Sequence, residues 1–167
     1  MIGYLFDLDG VLIDSEREYT RIWEEIDRKY PSGIEDFALV IKGQTLQKIL
    51  VENYPDAIRE DVKCELHRLE QEMTYSYCEG AERLLDRMNR RGSKIAVVTS
   101  SDEMKMSHLY ENLPEFRKKI SVIIDASRVK KSKPDPEGYC KGAQALNVPI
   151  KNCVVFEDSV KELKPDN

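Results

Sequence analysis

Two aspartates, Asp7 and Asp9, stand one residue apart where the first apolar run of the chain ends, in the stretch FDLDG. Like charges this close repel each other, and the repulsion raises the pKa of both groups unless a cation or a shared proton relieves it. The pair therefore predicts a bound metal ion, a proton shared between the two groups, or a reaction on an anion that needs both carboxylates.

Further polar side chains follow later apolar runs or lie in a loop that two prolines stiffen, in the stretch KSKPDP. They are Thr99, Ser100, Ser101, Lys133, Glu157 and Asp158. Transfer of a dianionic phosphoryl group needs donors around its oxygens and a nucleophile in line with the leaving group. The set of residue types matches that requirement.

A specific reaction follows from these types. Asp7 is the predicted nucleophile that forms an aspartyl-phosphate, and Asp9 is the predicted general acid and base. Mg²⁺ prefers hard oxygen ligands, which the aspartates and glutamate supply, while hydroxyl, amide and ammonium groups bind the phosphoryl oxygens. The predicted phosphate donors are the Thr99 hydroxyl, the Ser100 amide and the Lys133 ammonium.

Four short apolar runs are predicted as strands, at residues 2–6, 94–98, 120–124 and 153–156. Helical patterns separate the last three, and Asp135-Pro136 before the last of these patterns is typical of an N-cap followed by proline at the first helical position. The alternation of strands and helices predicts an α/β fold with a parallel sheet and right-handed crossovers. Ligands of such sheets bind beyond the carboxyl ends of the strands. The candidate residues should therefore meet at one edge of the sheet.

Residues 14–78 interrupt this alternation and contain no convincing strand. Ser15 and Glu18 have the spacing of a capping box, which predicts a helix that Pro31 closes. A second helix is predicted from apolar residues that recur at steps of three and four, namely Ile58, Val62, Leu66, Leu69, Met73 and Tyr77. We therefore expect a catalytic core of residues 1–13 and 79–167 with a helical cap of residues 14–78.

Composition restricts the class of partner. The chain has 167 residues and a net charge of -5, and it has no basic block of the kind that binds nucleic acid. No stretch approaches the ~18 uninterrupted apolar residues of a membrane span, and the N-terminus lacks a signal peptide pattern. The four cysteines have no CxxC spacing, which is typical of reduced thiols. These features predict a cytoplasmic protein with a small phosphorylated metabolite as partner.

Four stretches, DLDGVLIDS, VVTSS, KSKPDPEGY and VVFEDS, resemble the four motifs of the haloacid dehalogenase-like hydrolases. The resemblance covers nearly the whole chain and is strongest to the helical-cap branch of phosphatases and β-phosphoglucomutases. It implies a Rossmann-like core with an inserted cap, and an aspartate at position 9 implies phosphoryl transfer rather than dehalogenation. The roles that it implies are nucleophile for Asp7, acid/base and Mg²⁺ ligand through its carbonyl for Asp9, phosphate binders for Thr99 and Lys133, and metal ligands for Glu157 and Asp158.

The same resemblance extends to the substrate pocket. The pair Lys42-Gly43 resembles the substrate-facing loop of the family's cap. The candidate substrate-binding residues are Gly10, Tyr19, Lys42, Gly43, Ser100 and Ser101.

The sequence departs from the family pattern at three places. Glu79-Gly80 replaces a proline-glycine pair after the cap, and Glu162 replaces a glycine after the last acidic motif. Relatives continue beyond the position of Asn167 through another helix and a final strand. We therefore expect the final core strand to be missing and strand 153–156 to be an exposed edge that favours self-association.

Three functions remain open at this point, and phosphomonoester hydrolysis is favoured. The first alternative is a mutase, but the family's mutases carry a histidine on the first cap helix where this chain has Tyr19. The second is an inactive relative or a receiver-like phosphoacceptor domain. Receivers place the phosphorylated aspartate after the third strand and have no long insertion after the first. The identity of the phosphate ester is not encoded in any readable pattern.

Overall fold

The computed structural model describes residues 2–158 of the chain. Its centre is a sheet of four strands in the order β3-β2-β1-β4, and all pairings are parallel. The strands are β1 Gly3–Phe6, β2 Lys94–Val98, β3 Val122–Ile124 and β4 Cys153–Phe156. The predicted α/β class and parallel sheet are confirmed, although β1 and β3 begin one and two residues later than predicted.

The described part of the chain contains seven α-helices. The helices are α1 Glu16–Lys29, α2 Phe37–Val40, α3 Leu46–Asn53, α4 Asp56–Gln71, α5 Ala81–Arg90, α6 Glu103–Asn112 and α7 Glu137–Ala145. Helices α1 to α4 lie in the predicted insertion, and α5 to α7 connect the later strands. None of the helices within residues 2–158 is long and apolar enough to cross a bilayer.

The central strands β1 and β2 bury side chains on both faces of the sheet, since successive side chains point to opposite faces. On one face, Leu5 and Val98 belong to the hydrophobic cluster that includes Tyr139 of α7. Helix α7 approaches closely, since a Cβ on Gly138 would lie 2.8 Å from Val98 Cγ1. On the other face, Phe6 belongs to the larger cluster that extends into the insertion. Burial on both faces explains why most residues of β1 and β2 are apolar.

The chain enters and leaves the helical insertion through two adjacent backbone segments. The amide of Asp14 donates to the carbonyl of Ser76 at 2.9 Å, and the amide of Cys78 donates to that of Leu12 at 2.9 Å. A single hydrophobic cluster contains residues of both the insertion and the helices on the sheet. Packing alone therefore does not define a domain boundary at residues 14 and 78, and the division into core and cap stays a prediction.

Two helix starts differ from the predicted caps. Ser15 is the N-cap residue of α1, but it makes no side-chain capping bond and its hydroxyl instead donates to Asp9. Helix α7 begins at Glu137 with Pro136 as its N-cap residue, one position later than predicted. Asp135 Oδ1 still accepts from the amide of Glu137 at 2.9 Å. The capping box at Ser15 was therefore wrong, because the hydroxyl has a buried carboxylate as a competing partner.

Strand β4 is the outer strand on its side of the described sheet. Val154 is 43% exposed and Phe156 is 37% exposed, while the Phe156 ring stacks on Phe6 with centroids 4.4 Å apart. Self-association through this edge stays a prediction. The expected loss of a final strand and the departure at Glu162 lie outside the described residues.

Candidate active site at the carboxyl ends of the strands

The parallel register brings the candidate residues to one edge of the sheet. The ladder continues one residue past each strand, since the Asp7 amide donates to Phe156 and the Thr99 amide to Ile124, both at 2.9 Å. Asp7 and Thr99 are therefore fixed by sheet hydrogen bonds, and both are buried. The predicted convergence of residues far apart in sequence is present.

Asp7, Glu157 and Asp158 form what we call the carboxylate cluster, with one oxygen of each within 4.8 Å of the others. The ammonium of Lys133 lies 2.6 Å from Asp7 Oδ1 and 2.8 Å from Glu157 Oε2. The hydroxyl of Tyr139 donates to the same Glu157 oxygen at 2.5 Å. Lys133 thus lies among the acids in this structure and contacts two of the three carboxylates of the cluster.

Two carboxyl groups of the cluster have raised pKa values in the folded protein. Burial raises the pKa of Asp7 to about 7, against the opposing effect of Lys133. Burial and the neighbouring Glu157 also raise the pKa of Asp158. Carboxylates whose charged forms are disfavoured by burial and by one another gain most from a bound cation, and their hard oxygen atoms suit Mg²⁺.

Gly10 packs directly against Asp158 of the carboxylate cluster. Its φ is 76°, a conformation that side chains rarely tolerate. A Cβ at this position would lie 2.2 Å from Asp158 Oδ2. Gly10 was predicted to bind substrate, but the structure places it against Asp158 and outside the described cavity wall.

The side chain of Asp9 has a separate set of partners. Its Oδ1 accepts from the Ser15 hydroxyl, and its Oδ2 accepts from the Ser101 hydroxyl at 3.2 Å and the Lys105 ammonium at 2.7 Å. Burial acts to raise the pKa of Asp9, but the charge of Lys105 and these hydrogen bonds hold it below its usual value. The predicted metal role of Asp9 therefore depends on its carbonyl, because its carboxylate is not in the carboxylate cluster.

Lys105 and Glu70 are two buried charged residues that the sequence analysis missed. The Lys105 ammonium lies 4.0 Å from the centroid of the Tyr19 ring, and the Tyr19 hydroxyl donates to Glu70 Oε1 at 2.6 Å. Burial raises the pKa of Glu70. A signal for Glu70 existed, since it lies four residues after Leu66 on an apolar helix face, but Lys105 has no comparable local signal.

A cavity of about 580 Å³ lies between the insertion and the carboxyl ends of the strands. Lys42 on its wall donates to Glu16, and the Thr99 hydroxyl donates to that of Ser101 at 3.0 Å. The predicted residues that line the cavity are Asp7, Asp9, Tyr19, Lys42, Gly43, Thr99, Ser100, Ser101 and Asp158. Lys133 and Glu157 are not on its wall, and the Lys133 ammonium contacts both Asp7 and Glu157.

Comparisons with known proteins identify relatives of this chain in both sequence and structure. Hexitol phosphatase A of Escherichia coli is 34% identical over 94% of this chain and 74% of its own length. Among solved structures, a hydrolase from Pseudomonas syringae has a TM-score of 0.82 at 22% identity, over 98% of this chain and 78% of its own. A β-phosphoglucomutase from Clostridium difficile has a TM-score of 0.79 at 26% identity, over 98% and 79%.

The family comparison covers both the core and the insertion. The model of the haloacid dehalogenase-like hydrolases matches residues 3–164. That span includes all four motifs and every residue of the site described above. The chain therefore belongs to the haloacid dehalogenase-like hydrolase family.

Proposed function

We propose that this protein is a Mg²⁺-dependent phosphatase that hydrolyses a small phosphorylated metabolite, a sugar or polyol phosphate, through an aspartyl-phosphate on Asp7. The observation that carries the proposal is the position of Asp7. Its buried carboxylate faces a cavity of about 580 Å³ with Thr99, Ser100 and Asp9 on the same wall. A nucleophile, phosphate donors and an acid/base thus share one pocket large enough for a small ester.

The reaction has two steps. In the first, an Asp7 oxygen bonds to phosphorus while the bond to the leaving oxygen breaks, and Asp9 gives its proton to that oxygen. In the second, a water oxygen bonds to phosphorus, Asp9 takes the water's proton, and the bond to Asp7 breaks. Atoms and charge balance across the cycle, and both carboxyl groups return to their initial states.

Asp9 needs a different protonation state in each of the two steps. Asp9 must be protonated for the first step, and the approach of a dianionic phosphate raises the pKa of a nearby carboxyl group. The Lys105 ammonium favours the ionised form that the second step needs.

Thr99, Ser100 and Lys133 are proposed to bind the phosphoryl oxygens, which would draw Lys133 from Asp7 toward the phosphate.

The carboxylate cluster fits a hard divalent cation. We propose that Asp7, Glu157 and Asp158 hold Mg²⁺ together with the carbonyl of Asp9. The space that Gly10 leaves for Asp158 is part of the fit. A bound Mg²⁺ supplies the positive charge that keeps Asp7 ionised and offsets the charge of the phosphoryl oxygens.

The cavity favours an uncharged leaving group. Its lysines Lys42 and Lys105 already contact carboxylates, Glu16 and Asp9 respectively. Polar groups on the wall are suited to hydroxyls, and the hexitol phosphatase of Escherichia coli is named for an ester of this kind. We therefore propose a monophosphate with a polyhydroxyl leaving group as substrate, with Gly43 and Tyr19 lining its site.

Mutase activity is the second candidate, supported by the similarity to the β-phosphoglucomutase of Clostridium difficile. A mutase must bind a second, distal phosphate, for which the paired state of Lys42 provides no unoccupied cation. Incubation with β-glucose 1-phosphate, Mg²⁺ and a trace of the 1,6-bisphosphate separates the two. Glucose 6-phosphate forming faster than free phosphate would replace the hydrolase proposal.

A turnover screen tests the proposal directly. Purified protein with Mg²⁺ is incubated with hexitol, hexose, pentose and glycerol phosphates, and phosphate release is measured for each. We expect release from at least one polyol or sugar monophosphate and none from the Asp7→Asn variant. Equal release by the wild type and this variant would identify a contaminant and contradict the proposal.

A further inference from the structure

Lys105 is a buried cation to which the two-step reaction assigns no bond-making role. Only 8% of the residue is exposed, and its ammonium lies 2.7 Å from Asp9 Oδ2. Burying an ammonium is costly unless charges and polarisable groups compensate. Here the compensation comes from Asp9 and from the face of the Tyr19 ring.

Tyr19 and Glu70 connect Lys105 to the helical insertion. Tyr19 belongs to α1, Glu70 to α4 and Lys105 to α6, and α4 packs against α6. The Tyr19 hydroxyl is held by Glu70 Oε1 at 2.6 Å, which fixes the ring that the ammonium faces. Lys105 therefore lies between two insertion residues on one side and Asp9 on the other.

The contacts of Asp9 show what Lys105 contributes. Ser15 and Ser101 donate neutral hydroxyls, whereas Lys105 donates from a charged group. Ser15 binds Oδ1 and Lys105 binds Oδ2, so that together they restrain the plane of the carboxylate. Removing the ammonium would leave a buried carboxylate with weaker partners and more freedom to rotate.

We propose that Lys105 is a positioning residue, which holds the Asp9 carboxylate in its working orientation and is itself held by Tyr19 and Glu70 of the insertion. This inference rests on the proposed function, because the orientation matters only if Asp9 protonates the leaving oxygen. It extends that function, because Lys105 connects residues of the insertion to the acid/base Asp9. Substitutions at Glu70, which does not touch Asp9, should then affect proton transfer.

Leaving-group dependence separates positioning from simple structural support. An alkyl phosphate such as a hexitol phosphate needs its leaving oxygen protonated, whereas 4-nitrophenyl phosphate releases a weak base that needs little help. The ratio kcat/KM reports steps up to formation of the phosphoenzyme and so excludes the later water step. For Lys105→Met we expect a loss of about 10- to 100-fold with the alkyl ester and less than about threefold with the aryl ester.

Further variants sharpen the comparison. Lys105→Arg keeps the charge and should recover much of the alkyl activity, and Glu70→Gln should shift the alkyl-to-aryl ratio in the direction of Lys105→Met, by less. Lys119→Met is a matched control, since this lysine is also mostly buried and pairs with Glu82 and Asp86 but does not line the cavity. It should lower stability without changing the ratio.

Equal losses on both esters in Lys105→Met would overturn the positioning role. Failure of the proposed function looks different, because the wild type would then hydrolyse neither ester. Crystal structures of the wild type and Lys105→Met test the inference even in that case. We expect the Asp9 carboxylate to rotate away from Ser101 in the variant, and an unchanged carboxylate would contradict the proposal.

Discussion

Asp7 and Asp9 are separated by one residue, yet they lie in opposite electrostatic surroundings. Asp7 belongs to the carboxylate cluster, where burial raises its pKa to about 7 despite Lys133. Asp9 faces Lys105, Ser15 and Ser101, which together hold its pKa below the usual value against the effect of burial. The first environment disfavours the ionised carboxylate, and the second stabilises it.

This difference explains how one short motif can serve two roles. Neighbouring carboxyl groups acquire different functions when their surroundings move their pKa values apart. The carboxylate cluster is suited to an added cation, and the Asp9 side is a closed hydrogen-bond network that can exchange a proton. Substitutions and metal removal can perturb one side at a time.

The largest effect is expected from Asp7→Asn. The amide keeps the shape of the side chain but is not a nucleophile, so kcat should fall by about 10⁴-fold or more. Phosphate release measures the loss, and circular dichroism checks that the fold is intact. Asp9→Asn should also be severe, and retained turnover in the Asp7 variant would contradict a covalent mechanism.

Removal of the cation should come next in size. Because the carboxylate cluster repels both itself and a phosphate dianion, chelation with EDTA should lower turnover by about 10³-fold or more, with recovery on adding Mg²⁺. The melting temperature should rise with added Mg²⁺, since the ion binds the folded state. Full activity in excess EDTA would contradict the role assigned to these carboxylates.

Gly10→Ala should weaken metal binding more than it weakens the fold. The new Cβ would displace the Asp158 carboxylate, so we expect about 10- to 100-fold lower Mg²⁺ affinity by calorimetry. Gly33→Ala is the matched control, because Gly33 also has a φ of 76° but nothing lies within 4 Å of its would-be Cβ. Both variants should lose about 1 kcal/mol of stability. Equal metal affinity in the two would show that Asp158 is not a ligand.

The smallest effect is expected from Glu70→Gln on stability. Burial raises the pKa of Glu70 in the folded state, so this group favours folding at low pH and loses that contribution as pH rises. The variant should therefore equal the wild type below about pH 4 and become the more stable protein at neutral pH, by about 1 kcal/mol or less. Melting curves across this range measure the difference. A wild type that is more stable at neutral pH would mean that attraction to charges such as Lys105, together with the Tyr19 hydrogen bond, outweighs the burial of Glu70.

Sequence patterns predicted the strands and the polar residues that follow them, because both depend on the local succession of residues along the chain. The polar residues after β1, β2 and β4 follow apolar runs, and parallel strands necessarily bring their carboxyl ends together. This is why the sequence alone predicts that Asp7, Thr99 and Glu157 lie at one edge of the sheet.

The missed residues depend on contacts between distant segments. Lys105 meets Asp9 across 96 residues of sequence, and Tyr19 meets Glu70 across 51. No local period marks such a pair, because it arises only when α6 and the insertion pack together. Ser15 shows the opposite case. The predicted helix start at this residue is correct, but the predicted capping hydrogen bond is absent, because the Ser15 hydroxyl donates to the buried Asp9 carboxylate instead.

The most direct test of the account is to trap the phosphorylated enzyme. Asp9→Asn is incubated with Mg²⁺ and 4-nitrophenyl phosphate, whose leaving group needs no acid, and the protein is analysed by intact and peptide mass spectrometry. The account predicts one phosphoryl group on Asp7, retained because residue 9 can no longer activate water. A phosphoryl group on another residue, or none while the wild type hydrolyses the same ester, would contradict it.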